Sequence, residues 1–553
     1  MTSLDSDKNE TNTPNPAASD AAASEADAAA GDAASAGTAA GNAAAADKDS
    51  LFIGAVQGHQ KRYRRIVEFT HSSTKAAAVM LVAAIVALII ANTGAREGFE
   101  EAIHTAVGFV VGDTQLTMSI SHVINDLFMA LFFLLVGLEV KYEMTVGELT
   151  NIRAALLPVI AAVGGVAMPV VVYLLFNASS PETAGGWGIP TATDIAFALG
   201  IMALLGDRIP GGIRVFLSTL AVADDIIAIL VIAIFYGHAP DLMCLLGAAV
   251  VLAALILLNR AHVYALAPYL LLGVVLWTFV YLSGVHATIA GVLLAFTIPS
   301  GSRVNLREFA AWSDKKVNQA TDALEPEEPV IAQKEYLRNV RNLSAVSRQV
   351  IPPATRLENG LYPWVYFVIL PLFALTNANV HISGDLGAIV ASPGFLGVFF
   401  GLLAGKPMGI LLASAIVVKS GLGALPAHTT WRHMAGAALL GGVGFTMAIF
   451  VSNLAFDSEA ATSAAKLAIL MASAVAGIAG FAVLMPEAKR AVDEDTAYLR
   501  VGADGSNLPH DEREEEREYK RALADMDDEC RAAWQHACED DEPHELCVKL
   551  RSK

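Results

Sequence analysis

Charged residues are scarce in this chain, and their scarcity excludes a large soluble enzyme. Only 17% of the 553 residues are Asp, Glu, Lys or Arg, whereas 54% are hydrophobic and the mean hydropathy is +0.50. Soluble domains carry about 25% charged residues. Apolar runs recur instead, and the first begins at Lys75 with KAAAVMLVAAIVALIIANTG. Such a run can cross the ~30 Å hydrocarbon core as a helix, so the composition predicts a polytopic α-helical membrane protein.

Cysteine is rare as well, and its four copies follow no metal-binding spacing. Cys244 lies in an apolar run, and we expect it to be a small buried residue. Cys530, Cys538 and Cys547 lie near two histidines in the C-terminal tail. Their spacing matches no zinc pattern, which favours isolated thiols over a metal site. We therefore expect no cofactor.

The net charge of −18 comes almost entirely from the two ends of the chain. Residues 1–50 contribute −7 and residues 487–553 contribute −9, so the apolar part is close to neutral. The first segment has almost no large apolar residues and cannot form a core. We therefore divide the chain into a disordered tail (1–58), a transmembrane domain (59–486, including a cytoplasmic loop at 300–361) and an acidic cytoplasmic tail. Acidity of this kind indicates solvated tails, and we expect no nucleic-acid partner.

Twelve apolar segments are expected to cross the membrane. Their ranges are 74–93, 121–144, 153–176, 190–205, 211–236, 240–259, 264–283, 286–299, 362–380, 393–418, 430–455 and 463–485. The fourth and eighth are short for a full crossing. Basic residues cluster in alternate loops, namely at Lys141, Arg153, Arg208, Arg214, Arg260, 303–356, Lys419 and Arg432. The positive-inside rule places these loops and both termini in the cytoplasm.

Two connecting segments have secondary structure of their own. The stretch VGFVVGDTQLTM (107–118) alternates in hydrophobicity around Gly112 and Asp113, which predicts a β-hairpin in the first external loop. The basic segment from Val330 to Ile351 has helical periodicity, and we expect a surface helix in the long cytoplasmic loop.

Two adjacent carboxylates lie inside the fifth apolar segment, in TLAVADDIIAIL (219–230). A charged side chain at membrane depth is costly and indicates function. Asp224 and Asp225 point about 100° apart on a helix, so they face different surroundings. Burial and mutual repulsion disfavour two negative charges, so we expect the pair to hold protons or a metal cation in competition. The alternative is that both carboxylates pair with buried bases.

Two further segments contain polar residues at membrane depth. In GIPTATDIAFALG (188–200), Thr193 and Asp194 interrupt the fourth segment. They either unwind the helix beside a cavity or form an ordinary N-cap at the membrane edge. Lys406 lies well inside the tenth segment, where it needs an acidic partner, because snorkelling is disfavoured there. The Asp224–Asp225 pair is the expected source of that partner.

Two weaker signals lie at the end of the second segment and inside the eleventh. Glu139 and Glu143 are four residues apart on one helix face. A solvated helix end explains them without a function, although an acidic cluster at a funnel mouth could gather cations. Gly441, Gly442 and Gly444 lie inside the eleventh segment, where glycines allow either tight helix packing or a break in the helix. A matched pair of interrupted segments, here four and eleven, is typical of a transporter site built on inverted repeats.

With these motifs, the sequence resembles the NhaA family of sodium/proton antiporters. The matching stretches, in the family's order, are FFLLVGLEVK, ATDIAFALG, LAVADDIIAI, SGVHATIAG, LPLFALTNA, GKPMGI and GVGFTMAIF. The resemblance covers about residues 60–485 and excludes the tails and the loop at 300–361. It implies an all-α polytopic fold of about twelve transmembrane helices in inverted-topology repeats, with broken helices crossing in spans four and eleven.

The resemblance also implies roles for the polar residues. Asp225 matches the principal ion-binding aspartate, which would hold Na+ together with Asp224. Asp224 also matches the aspartate that pairs with the lysine of span ten, here Lys406. Thr193 and Asp194 match the unwound segment of span four, where the aspartate balances the facing helix ends.

Two further implications concern regulation and assembly. Glu139 and Glu143 match an acidic cluster linked to pH activation, but the family usually has an arginine where this chain has Tyr142. The hairpin near Gly112 matches the family's dimer contact, which implies a homodimer.

The implied function is electrogenic export of sodium, and of lithium, in exchange for external protons, with two protons for each sodium ion. The protein would be a secondary active transporter, not an enzyme, in the lipid bilayer of the bacterial cytoplasmic membrane, where it would serve sodium and pH homeostasis. One alternative is a cation- or proton-coupled symporter of a small solute, which needs mid-span polar or aromatic groups that are few here. Another is a cation channel or sensor whose acidic tails carry the function.

Overall fold

The computed structural model describes residues 54–70, 72–111, 114–150, 152–237, 241–380, 386–426 and 428–493, and helices dominate them. The chain divides into two compact units between Phe69 and Thr70. Helix α1 (Gly54–Thr70) accounts for the described part of the first unit. Nearly all of the predicted N-terminal tail, most of the C-terminal tail and the three tail cysteines lie outside the described residues.

The second unit begins with α2 (Ser73–Ala91), α3 (Arg96–His104) and two strands, β1 (Ala106–Val111) and β2 (Thr114–Ser119). The helices that follow are α4 (Ile120–Thr145), α5 (Ile152–Asn177), α6 (Pro181–Ala184), α7 (Ile195–Ala203), α8 (Gly211–Phe235), α9 (Leu242–Arg260), α10 (Leu266–Leu282), α11 (Ile289–Thr297), α12 (Leu306–Asp322), α13 (Lys334–Val350), α14 (Pro353–Asn377), α15 (Leu386–Val390), α16 (Pro393–Lys419), α17 (Trp431–Gly441), α18 (Phe445–Ala455) and α19 (Glu459–Asp493). Short π-helical turns occur inside α4, α14 and α16, at Val123–Phe128, Val365–Ile369 and Gly401–Gly405.

The helices are those of a multi-pass membrane protein. Among the described residues, eight are long and apolar enough to cross a membrane, and the bent pair α17–α18 makes a ninth. Large apolar side chains face outward on them: Leu175 is 79% exposed and Met243 is 77% exposed. Apolar surfaces of this kind are typical of lipid-facing helices, whose backbone N–H and C=O groups form hydrogen bonds within the helix.

The remaining predicted spans coincide with shorter helical elements. Span seven is α10, and span eight is the short helix α11. Span four consists of the 3-10 turn Gly185–Thr191 followed by α7. Every predicted span therefore has a helical counterpart, although the number of twelve crossings stays a prediction.

The connecting segments agree with the sequence patterns in most respects. Strands β1 and β2 pair antiparallel, from Ala106 opposite Ser119 to Val111 opposite Thr114, which confirms the hairpin. Its turn dipeptide lies outside the described residues. Helix α13 confirms the predicted surface helix of the long loop. Helix α14 begins at Pro353, before the predicted start of span nine at 362, and proline is well tolerated in a first helical turn. Cys244 is half-buried.

Close helix contacts position the site. A Cβ atom added at Gly409 of α16 would lie only 2.1 Å from the carbonyl oxygen of Gly164 in α5. A Cβ atom at Gly291 of α11 would lie equally close to the carbonyl oxygen of Ala130 in α4. Small residues of this kind let helix backbones approach closely in a membrane. The α5–α16 contact lies one turn from Lys406 and fixes the depth of that side chain.

Candidate functional site

The site is built where spans four and eleven are both broken. In span four, the chain is extended at Ala192 and at Asp194 before α7 begins. In span eleven, α17 ends at Gly441, α18 begins at Phe445, and the two helices are bent by 42°. The backbone N–H of Asp194 donates to the carbonyl oxygen of Val443 at 2.8 Å. The two breaks therefore touch, and each satisfies backbone groups that the other exposes.

Asp194 lies at the N-termini of two helices at once. Its Oδ1 accepts from the N–H of Phe197 at 3.0 Å and caps α7. Its Oδ2 accepts from Thr446 at the start of α18, at 2.5 Å from Oγ1 and 3.2 Å from the backbone nitrogen. A negative charge is favourable at a helix N-terminus, because the free N–H groups carry partial positive charge. Asp194 is therefore an N-cap, which was one of the two interpretations of the sequence. However, the residue is only 2% exposed, so the cap lies inside the protein and not at its surface.

Two polar side chains face the opposite, carbonyl ends of the broken helices. Thr193 Oγ1 lies 3.0 Å from the carbonyl oxygen of Gly441, the last residue of α17. Lys406 Nζ donates to the carbonyl oxygen of Thr191, the last residue of the 3-10 turn. A cation or donor is favourable there, because the final carbonyls carry partial negative charge.

Asp224 and Lys406 form a buried ion pair between α8 and α16. Lys406 Nζ lies 2.5 Å from Asp224 Oδ2, and both side chains are 0% exposed. Thr193 Oγ1 donates to the same oxygen at 2.6 Å. One carboxylate oxygen therefore joins the unwound segment of span four to the lysine of span ten.

Asp225 has a different environment from its neighbour. It is buried, and its Oδ1 has no hydrogen-bond partner within the part of the chain that the structure describes. The side chain lines a pocket together with Glu139, Thr193, Asp194, Tyr366 and Thr446. The helical spacing turns one carboxylate toward Lys406 and the other toward this pocket.

The two predicted pH-sensing residues are placed differently. Glu139 is half-buried and lines the pocket of Asp225. Glu143 lies one turn farther along α4, does not line this pocket, and contacts Gly147. Tyr142 between them is 49% exposed. Of the two glutamates, Glu139 therefore lines the same pocket as Asp194 and Asp225, and Glu143 does not.

Several functional groups of the site gave no clear signal in the sequence. Thr446 is the second residue of α18, and a threonine in the first turn after a glycine break is the pattern that could have identified it. The carbonyl oxygens of Thr191 and Gly441 belong to the backbone and have no side-chain signature.

Lys141 is not a free cytoplasmic charge: its Nζ donates to the carbonyl oxygens of Ala295, Phe296 and Ile298 at the end of α11.

Comparison with known proteins identifies the family of this chain. Residues 67–484 match the family model described as Na+/H+ antiporter 1, and they include the two breaks, both aspartates of α8 and Lys406. The chain belongs to this family. The Na(+)/H(+) antiporter NhaA of Wolinella succinogenes is 44% identical over 371 residues, which are 67% of this chain and 81% of that protein. The NhaA protein of Syntrophobacter fumaroxidans is 46% identical over 373 residues, covering 67% and 79%.

A solved structure from the Na+/H+ antiporters is more distant. The sodium proton antiporter MjNhaP1 from Methanocaldococcus jannaschii is 11% identical, covers 75% of this chain and 92% of that chain, and has a TM-score of 0.40. The Na+/H+ antiporter 1 family match therefore rests on the sequence. It ends at residue 484, so the whole acidic C-terminal tail (487–553) lies outside it.

Proposed function

We propose that this chain is an electrogenic antiporter that exports Na+ from the cell in exchange for two external protons. Li+ is accepted at the same site. The observation that carries the proposal is the contrast between the two aspartates. Asp224 is bound by Lys406 and Thr193, whereas Asp225 is buried beside it, lines a pocket, and has an Oδ1 atom without a partner among the described residues.

The proposed mechanism is competition between protons and sodium at this pair. A buried carboxylate must be neutralised, either by a proton or by a cation. Hard cations take oxygen ligands, and the Oδ1 atoms of Asp224 and Asp225 are both buried without a protein partner in the described residues. On the cytoplasmic side, protons leave Asp225 and the Asp224–Lys406 pair, and Na+ binds. After the site is exposed to the other side, protons displace Na+.

The stoichiometry makes transport respond to voltage. Two protons inward for one Na+ outward move one net positive charge inward per cycle. Each unit charge moved across the membrane is worth about 2.3 kcal/mol per 100 mV. The membrane potential therefore drives sodium export together with the pH gradient.

The remaining proposals concern placement and assembly. We place the protein in the bacterial cytoplasmic membrane with both termini in the cytoplasm, because the basic loops share one side. The β1–β2 hairpin is proposed to hold two copies together as a homodimer within the lipid bilayer. Glu139 is proposed to contribute to the response to pH. The tails, residues 1–58 and 487–553, are proposed to lie outside the transporting domain.

The decisive experiment is sodium-driven collapse of a pH gradient in everted membrane vesicles. Wild-type protein should release protons on addition of Na+ or Li+, and Asp225→Asn should release none, because a neutral amide cannot exchange a proton for a cation. Asp241→Asn is the matched control: this aspartate is exposed at the N-cap of α9, and asparagine caps equally well. Normal exchange by Asp225→Asn would rule out Asp225 as the ligand. No exchange by the wild type at any pH would overturn the proposed function.

A further inference from the structure

Three asparagine side chains form a hydrogen-bonded chain that links three helices. Asn453 of α18 donates from Nδ2 to Oδ1 of Asn377 in α14 at 2.7 Å. Asn377 donates from Nδ2 to Oδ1 of Asn125 in α4, also at 2.7 Å. Asn377 is 4% exposed and is the central member. Buried amides that satisfy one another specify a particular helix arrangement, because separating the helices leaves them unpaired.

These asparagines lie beyond the pocket of Asp225, toward the membrane side opposite the basic loops. Each lies seven residues from a pocket-lining residue of its own helix: Phe132 in α4, Leu370 in α14 and Thr446 in α18. Seven residues are two helical turns, so each pair shares a helix face and is separated by about 10 Å along the axis. The other ends of α4 and α14 carry Lys141 and Arg356, which belong to the basic loops, whereas α18 begins at the break in span eleven.

An aromatic layer adjoins the pocket on the side of the asparagines. Phe373 and Phe450 lie between the pocket residue and the asparagine on α14 and α18. The third ring, Phe133, follows the pocket residue Phe132 on α4 and lies level with the pocket. All three rings are buried. The ring of Phe450 is 5.5 Å from that of Phe133 and 6.2 Å from that of Phe373, between centroids. A contiguous apolar layer of this kind blocks a hydrated ion, because it offers no ligand in place of water.

We propose that the aromatic layer and the asparagine chain form the closed outer gate of the ion path, with Asn377 as its central latch. This rests on the proposed antiport function, since alternating access needs the outer side closed while the cytoplasmic side is open. Opening the gate separates α18 from α14 and α14 from α4, and so breaks both amide contacts. Thr446, which binds Asp194, is on the same face of α18 as Asn453, so movement at the ion site and at the latch is transmitted along one helix.

The test measures access to the pocket from each side of the membrane. Val136 of α4 lines the pocket, and Val136→Cys in a variant whose four native cysteines are serine provides a single reporter thiol. A membrane-impermeant cationic thiol reagent is added to intact cells or to everted vesicles. Asn377→Leu keeps the side-chain volume and removes both contacts, each worth about 1 kcal/mol, so labelling from the outside should become about tenfold faster or more. Labelling from the cytoplasmic side should not increase.

Two further variants control the interpretation. Asn453 is half-buried, and Asn453→Leu removes one of the two contacts. This variant should give a smaller increase in the rate of outside labelling, and it keeps the test valid even if Asn377→Leu fails to fold. Asn177→Leu removes a buried asparagine that bridges Tyr173 and Pro393 elsewhere, and should leave outside labelling unchanged. The gate is refuted if neither latch variant speeds outside labelling, if labelling rises from both sides alike, or if Asn177→Leu has the same effect. Sodium-dependent exchange by the reporter protein tests the proposed function separately, because labelling does not depend on it.

Discussion

Lys406 Nζ lies 2.5 Å from Asp224 Oδ2, and neither side chain is exposed. The two residues are 182 positions apart in the chain and belong to different helices, α16 and α8. Thr193 and the carbonyl oxygen of Thr191 complete the surroundings of the pair. The pair therefore joins the broken span four to two continuous spans, so its integrity affects both the stability of the fold and the geometry of the ion site.

Breaking this pair from one side should destabilise the protein strongly. Lys406→Met leaves Asp224 buried without its cation, and removal of one partner of a buried pair costs about 3–5 kcal/mol. The double variant Asp224→Asn/Lys406→Met removes both charges and should recover most of the loss, although it should not exchange sodium normally. Unfolding of the purified protein in detergent, followed by helix ellipticity, measures both. A double variant as unstable as Lys406→Met would show that the charge pair is not the cause.

The hydroxyl of Thr446 should matter for transport through Asp194. Thr446→Val removes the hydrogen bond to Asp194 Oδ2, and hydrogen bonds to charged groups contribute about 1.5–3 kcal/mol, so exchange should fall about tenfold or more. Thr446→Ser keeps the hydroxyl and should retain most of the rate. The control is Thr278→Val on α10, an exposed threonine whose hydroxyl donates to the carbonyl oxygen of Val274 in the same helix. Equal rates for Thr446→Val and Thr278→Val in the vesicle assay would contradict the assigned contact.

Close packing of α5 against α16 should depend on the absence of a side chain at Gly409. Gly409→Ala places a Cβ atom 2.1 Å from the carbonyl oxygen of Gly164, so the helices must separate. Overpacking of this kind costs about 1–3 kcal/mol. Gly360→Ala is the control, since nothing lies within 4 Å of the added Cβ and alanine favours the helix. The same detergent unfolding assay should show a loss for the first variant and none for the second; equal stabilities would refute the contact.

Local patterns determined a large part of the architecture from the sequence. Uninterrupted apolar runs predicted the spans, because only a helix satisfies its own backbone in lipid. The alternation around Gly112 predicted the β1–β2 hairpin, and the periodicity of 330–351 predicted α13. The threonine and aspartate of span four and the glycines of span eleven allowed a break as one of two interpretations, because these residues compete with or weaken helical hydrogen bonding. Each of these signals lies within a few residues of the feature that it predicts.

The tertiary structure decided which groups meet. The sequence put Asp224 and Asp225 side by side, but only the placement of α16 relative to α8 shows that Asp224 binds Lys406 while Asp225 lines the pocket. Asp194 meets Thr446 across 252 residues, and Asn377 meets Asn125 across the same separation. The backbone carbonyl oxygens that accept hydrogen bonds from Lys406 and Lys141 are present in every residue type, so the sequence does not identify them. Such contacts depend on how distant helices pack, which no local spacing of residues specifies.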